Sequence, residues 1–167
     1  MRWEDERDQL HAGDDEGWDG AGLAPGARGH MATYARAIAR SCLAPGVQVV
    51  LGPATAWPHQ AISTGHPAPL ALDVVDLMLA SDCLVVPADR MPSPSARAAA
   101  SAWDSKRLLV APALFGSEVL AVGLAALPND VRPDLPAVRD AGERLAAALV
   151  AWGAGRAREP ATRRIPA

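Results

Sequence analysis

Residues 107–127 read RLLVAPALFGSEVLAVGLAAL and decide the fold. Two apolar runs are joined here by Gly116-Ser117, and a glycine at the first central position favours a two-residue type II′ turn. The stretch therefore predicts an antiparallel β-hairpin. Because proline has no N–H group to give to a strand ladder, Pro112 predicts that the first strand is an edge strand or carries a bulge.

Shorter patterns surround the hairpin. Three runs have the composition of strands, namely VQVVLG (47–52), HQAIST (59–64) and CLVVP (83–87). Apolar residues at three- and four-residue steps predict a helix from Met31 to Cys42, ended by Pro45-Gly46, and a second helix over residues 69–80. A third helix over residues 93–104 is predicted because Ser93 can cap it and Pro94 fits its first position.

The last predicted helix covers residues 134–152. It places apolar side chains on a three-four repeat in which Gly142 is the missing member: Leu135, Val138, Leu145, Leu149 and Trp152. A narrow apolar seam of this kind is typical of helices that pack lengthwise on one another. The order of elements, with hairpins that force antiparallel pairing, predicts an α+β fold: an antiparallel β-sheet flanked by helices.

Composition and charge divide the 167 residues into a neutral centre and two charged tails. Half of the residues are hydrophobic but only 4% are aromatic, so alanine, valine and leucine must fill the core. Residues 1–30 are interpreted as a flexible acidic segment, residues 31–152 as the domain and residues 153–167 as an arginine-rich tail. The central part has no charge bias toward nucleic acid, and no apolar run approaches the ~18 residues that span a bilayer. We therefore expect a cytoplasmic protein with neither nucleic acid nor membrane as its partner.

The sequence contains no motif for catalysis or metal binding. A Gly-x-Ser-x-Gly elbow, a phosphate-binding loop and a dinucleotide fingerprint are all absent, so we expect no enzyme activity and no catalytic residue. Cys42 and Cys83 form no short-spaced motif and are expected to be reduced and buried. His59 and His66 could join Cys83 at a metal, but the spacing matches none of the compact metal motifs, and no metal or cofactor is identified.

Residues 33–152 resemble the GAF domain family of small-molecule sensor modules. The stretch CLVVPAD (83–89) is similar to the family's strand and Val-Pro-Asp turn, although Ala88 intervenes before Asp89. Residues 110–114 (VAPAL) and 122–124 (VGL) resemble the "VPL" and "GVL" steps of its next two strands. The closing ERLAAALVAW resembles its last helix.

The resemblance implies a six-stranded antiparallel sheet with the first and last helices on one face. It implies a ligand pocket on the other face, roofed by residues 89–106, and dimers formed through the terminal helices. We expect ligand contacts from polar and aromatic groups near this roof: Trp57, His59, Asp89, Arg90, Trp103 and Asp104. The alternative for Trp103 is that it packs a thin alanine-rich helix onto the sheet.

Three functions remain open from the sequence. The first is a stand-alone GAF-like regulatory or ligand-sensing module, related to signalling or transcription, that acts through a homodimer or a protein partner. The second is a small redox enzyme that uses Cys83, since Leu51-Gly52-Pro53 resembles a strand end in the GAF subgroup that reduces methionine sulfoxide. The third is an interaction module whose pocket is filled by side chains.

Overall fold

A computed structural model of the chain describes residues 25–76 and 82–164, with side chains for residues 26–76 and 82–152. Three α-helices and five strands lie in these residues: α1 Pro25–Cys42, β1 Gly46–Leu51, β2 Ala61–Gly65, β3 Leu84–Pro87, α2 Pro94–Ala102, β4 Arg107–Phe115, β5 Glu118–Leu127 and α3 Leu135–Arg164. The strands form one antiparallel sheet in the order β2-β1-β5-β4-β3. The predicted α+β class is confirmed, with five strands in the described residues where the resemblance implied six.

The hairpin forms as its turn chemistry predicts. Phe115 pairs with Glu118 across the two-residue loop, and Gly116 has φ +63° while Ser117 stays out of the left-handed region. That combination is typical of a type II′ turn, in which only the first central residue has a positive φ. The ladder also shifts register, since the consecutive residues Ala113 and Leu114 pair with Ala121 and Val119, so the bulge lies at Leu120 of β5 and not in the strand that contains Pro112. Pro112 instead lies past Val110, the last residue of β4 that pairs with β3, where this side of β4 is an open edge.

The two faces of the sheet bury two separate clusters, since side chains alternate along each strand. On β1, Val49 points into a cluster covered by α1 and α3, whereas Val50 points into a cluster covered by α2. Tyr34 of α1 is buried in the first cluster, and its hydroxyl donates to the carbonyl oxygen of Ala111 at 3.0 Å. The first and last helices therefore share one face, as the resemblance implies.

Both outer helices extend beyond their predicted limits. α1 begins at Pro25 rather than near Met31, and Ala27 in its first turn is fully buried, so the helix reaches into the segment interpreted as flexible. α3 continues to Arg164, well past Trp152. Residues 1–24, most of the acidic segment, lie outside the described residues. None of the described helices is long and apolar enough to cross a bilayer.

The predicted helix over residues 69–80 is wrong in its described part. Only a short 3-10 helix, Leu72–Val75, forms there, and residues 77–80 lie outside the described residues. The cause is Gln48, a fully buried side chain of β1. Its Nε2 donates to the carbonyl oxygen of Pro69 at 2.7 Å, and its Oε1 accepts the N–H of Ala71 at 3.0 Å. These bonds hold the backbone of residues 69–71 against the sheet in a non-helical conformation.

Replacing Gln48 by leucine tests this anchor. Gln48→Leu keeps the approximate volume but leaves the Pro69 carbonyl and the Ala71 N–H without their buried partner, so we expect the free energy of unfolding to fall by about 1–3 kcal/mol. Urea unfolding at neutral pH measures the change. Gln60→Leu, at a half-buried position in the loop before β2, is the control and should stay near wild type; an equal loss in both variants would contradict the anchor role.

Candidate functional site

Trp103 is buried on the face of the sheet on which the resemblance places a ligand pocket. Its side chain is only 5% exposed and joins a buried cluster with three α2 alanines, Ala96, Ala99 and Ala100. The indole Nε1 donates to the carbonyl oxygen of His66 at 2.8 Å. A methyl group at Gly46 would overlap the indole ring, so the ring rests directly on the start of β1. This burial among alanines is the arrangement that the packing interpretation of Trp103 predicts.

A polar cluster fixes the start of α2 over this face. The Ser93 hydroxyl caps the helix by accepting the N–H of Ala96 at 3.0 Å and donates to Asp73 Oδ1 at 2.9 Å. The Ser95 hydroxyl donates to the same carboxylate oxygen. Hydrogen bonds from Ser95 and then Ser93 lower the pKa of Asp73 below its ordinary value. The carboxylate therefore ties the 3-10 helix to α2.

The six predicted ligand-contact residues do not converge on one site. Trp57 is buried in the cluster under α1 and α3, on the face opposite to Trp103. His59 Nε2 lies 3.0 Å from Asp76 Oδ2 at the surface. Asp89 and Arg90 are exposed in a short 3-10 helix after β3. A shared pocket built from all six residues is therefore not what the chain forms.

Trp103 and Asp104 do share one surface pocket. It has a volume of about 310 Å³ and is also lined by Lys106 and Asn129, at the end of the sheet where β4 begins and β5 ends. Asp104 has φ +51°, a conformation that aspartate tolerates better than most residues. This pocket places a carboxylate and an ammonium group beside the edge of the buried indole.

The cysteines have the properties of packing groups. Both are buried in the cluster under α1 and α3. Burial, with a smaller contribution from Cys83, raises the pKa of Cys42 to about 11. Burial and then the carboxylate of Asp82 raise the pKa of Cys83. A raised pKa disfavours the thiolate, which is the reactive form. No group of His, Cys, Asp and Glu in the described part of the chain is arranged to hold a metal ion.

A larger cleft lies on the other side of the molecule, and one of its lining residues, Cys83, is the sequence-based candidate of the redox alternative. We call it the α3 cleft; it has a volume of about 580 Å³, and its lining includes Cys83, Pro112, Leu114, Phe115, Arg139 and Glu143. It opens where β4 extends beyond β3, since β3 pairs only as far as Val110. The contributing segments are far apart in the sequence, which gave no local signal for the cleft.

Comparison with known proteins bears on the fold. No protein-family model matches the sequence, and no curated protein matches it. A solved structure described as a GAF domain/HD domain protein from Geobacter sulfurreducens is similar over 77% of this chain and 95% of that chain, with a TM-score of 0.51 and 15% sequence identity. The fold is GAF-like. At this identity the similarity shows the arrangement of the GAF elements and carries no ligand or partner to this chain.

The apolar seam of the last helix of this GAF-like fold packs within the molecule. Val138, Leu145 and Leu149 are buried against the sheet and α1, so the helix that the seam contacts is α1 of the same chain, and these side chains are not available to a second copy. Periodicity shows that a helix face is buried but not what buries it. Trp152, at the end of the same repeat, keeps 39% of its surface exposed.

The link between Asp73 and the α2 cap makes stability depend on pH. The folded-state pKa of Asp73 is lowered, so its contribution is complete above the unfolded-state value of about 3.9 and is lost as pH falls through the folded-state value. We expect Asp73→Asn to lower the free energy of unfolding by about 1 kcal/mol at pH 7. The difference from wild type should shrink below pH ~4.

Urea unfolding of both proteins across the acid range measures this difference. Asp130→Asn, which changes an exposed carboxylate in the turn before α3, is the control. A stability difference between wild type and Asp73→Asn that stays constant down to the lowest pH would show that the carboxylate charge has no part in the cap.

Proposed function

We propose that this protein is a cytoplasmic, non-catalytic regulatory module of GAF type that acts through contacts with a second copy of itself or another protein. In this proposal, side chains of the protein itself fill the face of the sheet on which the resemblance to the GAF family places a ligand pocket. The observation that carries it is the burial of Trp103 among the alanines of α2. A face already closed by an indole offers a ligand no apolar wall.

The charge and thiol chemistry support a non-catalytic role. Arg139 is the cation that lines the cleft together with the Cys83 thiol. Its guanidinium is bound by Asp82, with Nε to Oδ1 at 2.6 Å and Nη2 to Oδ2 at 3.0 Å. The arginine is therefore held by a carboxylate, while burial keeps the Cys83 thiol protonated. The redox alternative thus lacks an activated nucleophile at the cysteine on which it depends.

Trp103 allows a direct test of the filled face. If the indole fills the core, Trp103→Ala leaves a void and lowers the free energy of unfolding by about 3–5 kcal/mol. Added indole should then raise the melting temperature of the variant, whereas it should leave wild type unchanged. Thermal unfolding by circular dichroism measures both effects, and Trp103→Phe provides a milder variant that keeps part of the packing.

The competing candidate is ligand sensing at the pocket lined by Trp103 and Asp104. Its polar lining, with Asp104 and Lys106, favours a small zwitterionic or charged molecule. Two results together would favour this candidate over the filled face. A metabolite should stabilise wild type but not Asp104→Asn, and Trp103→Ala should unfold with near-normal stability. Asparagine is used because it also accepts the positive φ of this position.

Trp152 is the residue we expect to anchor self-association through the terminal helices. It packs over Gly26 at the start of α1, yet 39% of its surface remains exposed, and tryptophan is enriched among the residues that contribute most to the affinity of protein interfaces. Its neighbours in the apolar repeat are already buried. A dimer through the helical face would therefore use the outer edge of the Trp152 ring rather than the seam itself.

Light scattering of the purified full chain tests this contact. We expect a dimer for wild type and a monomer for Trp152→Glu, because a buried unpaired charge disfavours the interface. Leu72→Glu is the matched control, since Leu72 is 40% exposed but lies with the α2 side of the molecule, and it should remain dimeric. A wild-type protein that is monomeric at all concentrations, or a dimeric and folded Trp152→Glu, would contradict the proposal.

A further inference from the structure

We propose that the α3 cleft binds a small organic ammonium ion, a primary amine carried on an apolar or aromatic stem. The site lies on the helical side of the sheet and so does not depend on the filled face or on self-association. Its volume of about 580 Å³ lies within the range of small-molecule sites. The chemistry of its lining determines the class of ligand.

One wall of the cleft is apolar. Pro112, Leu114 and Phe115 come from the end of β4 that extends past β3, and the ring of Phe115 is 52% exposed. An exposed aromatic ring beside a cleft offers a surface for the apolar stem of a ligand. The face of the ring also attracts cations through its quadrupole.

The charged side chains that line the cleft include one more carboxylate than they do cations. Arg139 and Asp82 neutralise each other in a bidentate ion pair. Their hydrogen bonds raise the pKa of Arg139 and lower the pKa of Asp82. Glu143 lies one helical turn beyond Arg139 on α3, is exposed, and takes part in none of the ion pairs of the described residues. The cleft therefore presents one unbalanced negative charge next to an apolar wall.

An ammonium group matches this arrangement better than an anion does. Its N–H donors can bond the Glu143 carboxylate, while an anion would have to displace Asp82 from the guanidinium of Arg139. Because Glu143 is exposed, water screens this bond, and its contribution to affinity is modest. Glu143 sets the preference for a cation, and Phe115 sets the preference for an apolar stem.

Benzylamine is a suitable probe because it combines an aromatic ring with a primary ammonium group at neutral pH. We expect saturable chemical-shift changes in the ¹H–¹⁵N spectrum of the full chain at Phe115, Gly116 and Glu143. Glu143→Gln should weaken binding by about fivefold. Phenylacetate, which has the same ring and the opposite charge, should bind more weakly than benzylamine does.

Glu118→Gln is the matched control, since Glu118 is an exposed carboxylate just after the hairpin turn and does not belong to the described lining of the cleft. It should bind benzylamine with wild-type affinity. The proposal is overturned if benzylamine causes no saturable change at the cleft, if Glu143→Gln binds as well as wild type, or if phenylacetate binds as tightly. Loss of affinity in Glu118→Gln as large as that in Glu143→Gln would also overturn it, because the effect would then be one of overall charge.

Discussion

The rest of the structure depends on one constraint: helices with small residues at the contact must lie close to the sheet. With few aromatic residues in the chain, most buried side chains are small, and a core of small side chains reaches normal packing density only when its layers lie close together. Ala96, Ala99 and Ala100 allow α2 to lie low over its face, and Trp103 fills the remaining space at the end of the sheet. On the helical face, a side chain at Gly142 would meet the Pro112 carbonyl and the Tyr34 hydroxyl at 3.4 Å, so α3 also lies close to β4.

Local chemistry made part of this fold predictable. The Gly116-Ser117 turn, the Ser93-Pro94 helix start and the β-branched run of β1 each depend on residues that are adjacent in the sequence, and each forms as expected. The helix over residues 69–80 was wrong because a distant side chain decided the outcome: Nε2 of Gln48 donates to the Pro69 carbonyl, which a helix beginning there would have bonded to the N–H of Asp73. A pattern of apolar spacing contains no information about such a competitor.

The candidate site was less predictable because it depends on which face of the sheet each loop reaches. Trp57 and Trp103 were both expected to contact the ligand, yet the loop after β1 carries Trp57 to the helical face while α2 carries Trp103 to the other. The α3 cleft was missed for a related reason. Its lining comes from the start of β3, the end of β4 and the middle of α3, so only the assembled topology brings Cys83, Phe115 and Glu143 together.

The two proposals meet on α3. Glu143 and Trp152 lie on the same helix, separated by about 14 Å along its axis. Because α3 packs on both β4 and α1, a ligand that binds between α3 and the end of β4 acts on the helix that carries the expected contact with a second copy. Binding alone does not couple the two sites. Coupling requires the ammonium ion to have different affinities for two positions of α3, and the difference sets the largest shift in the monomer–dimer equilibrium that the ligand can produce.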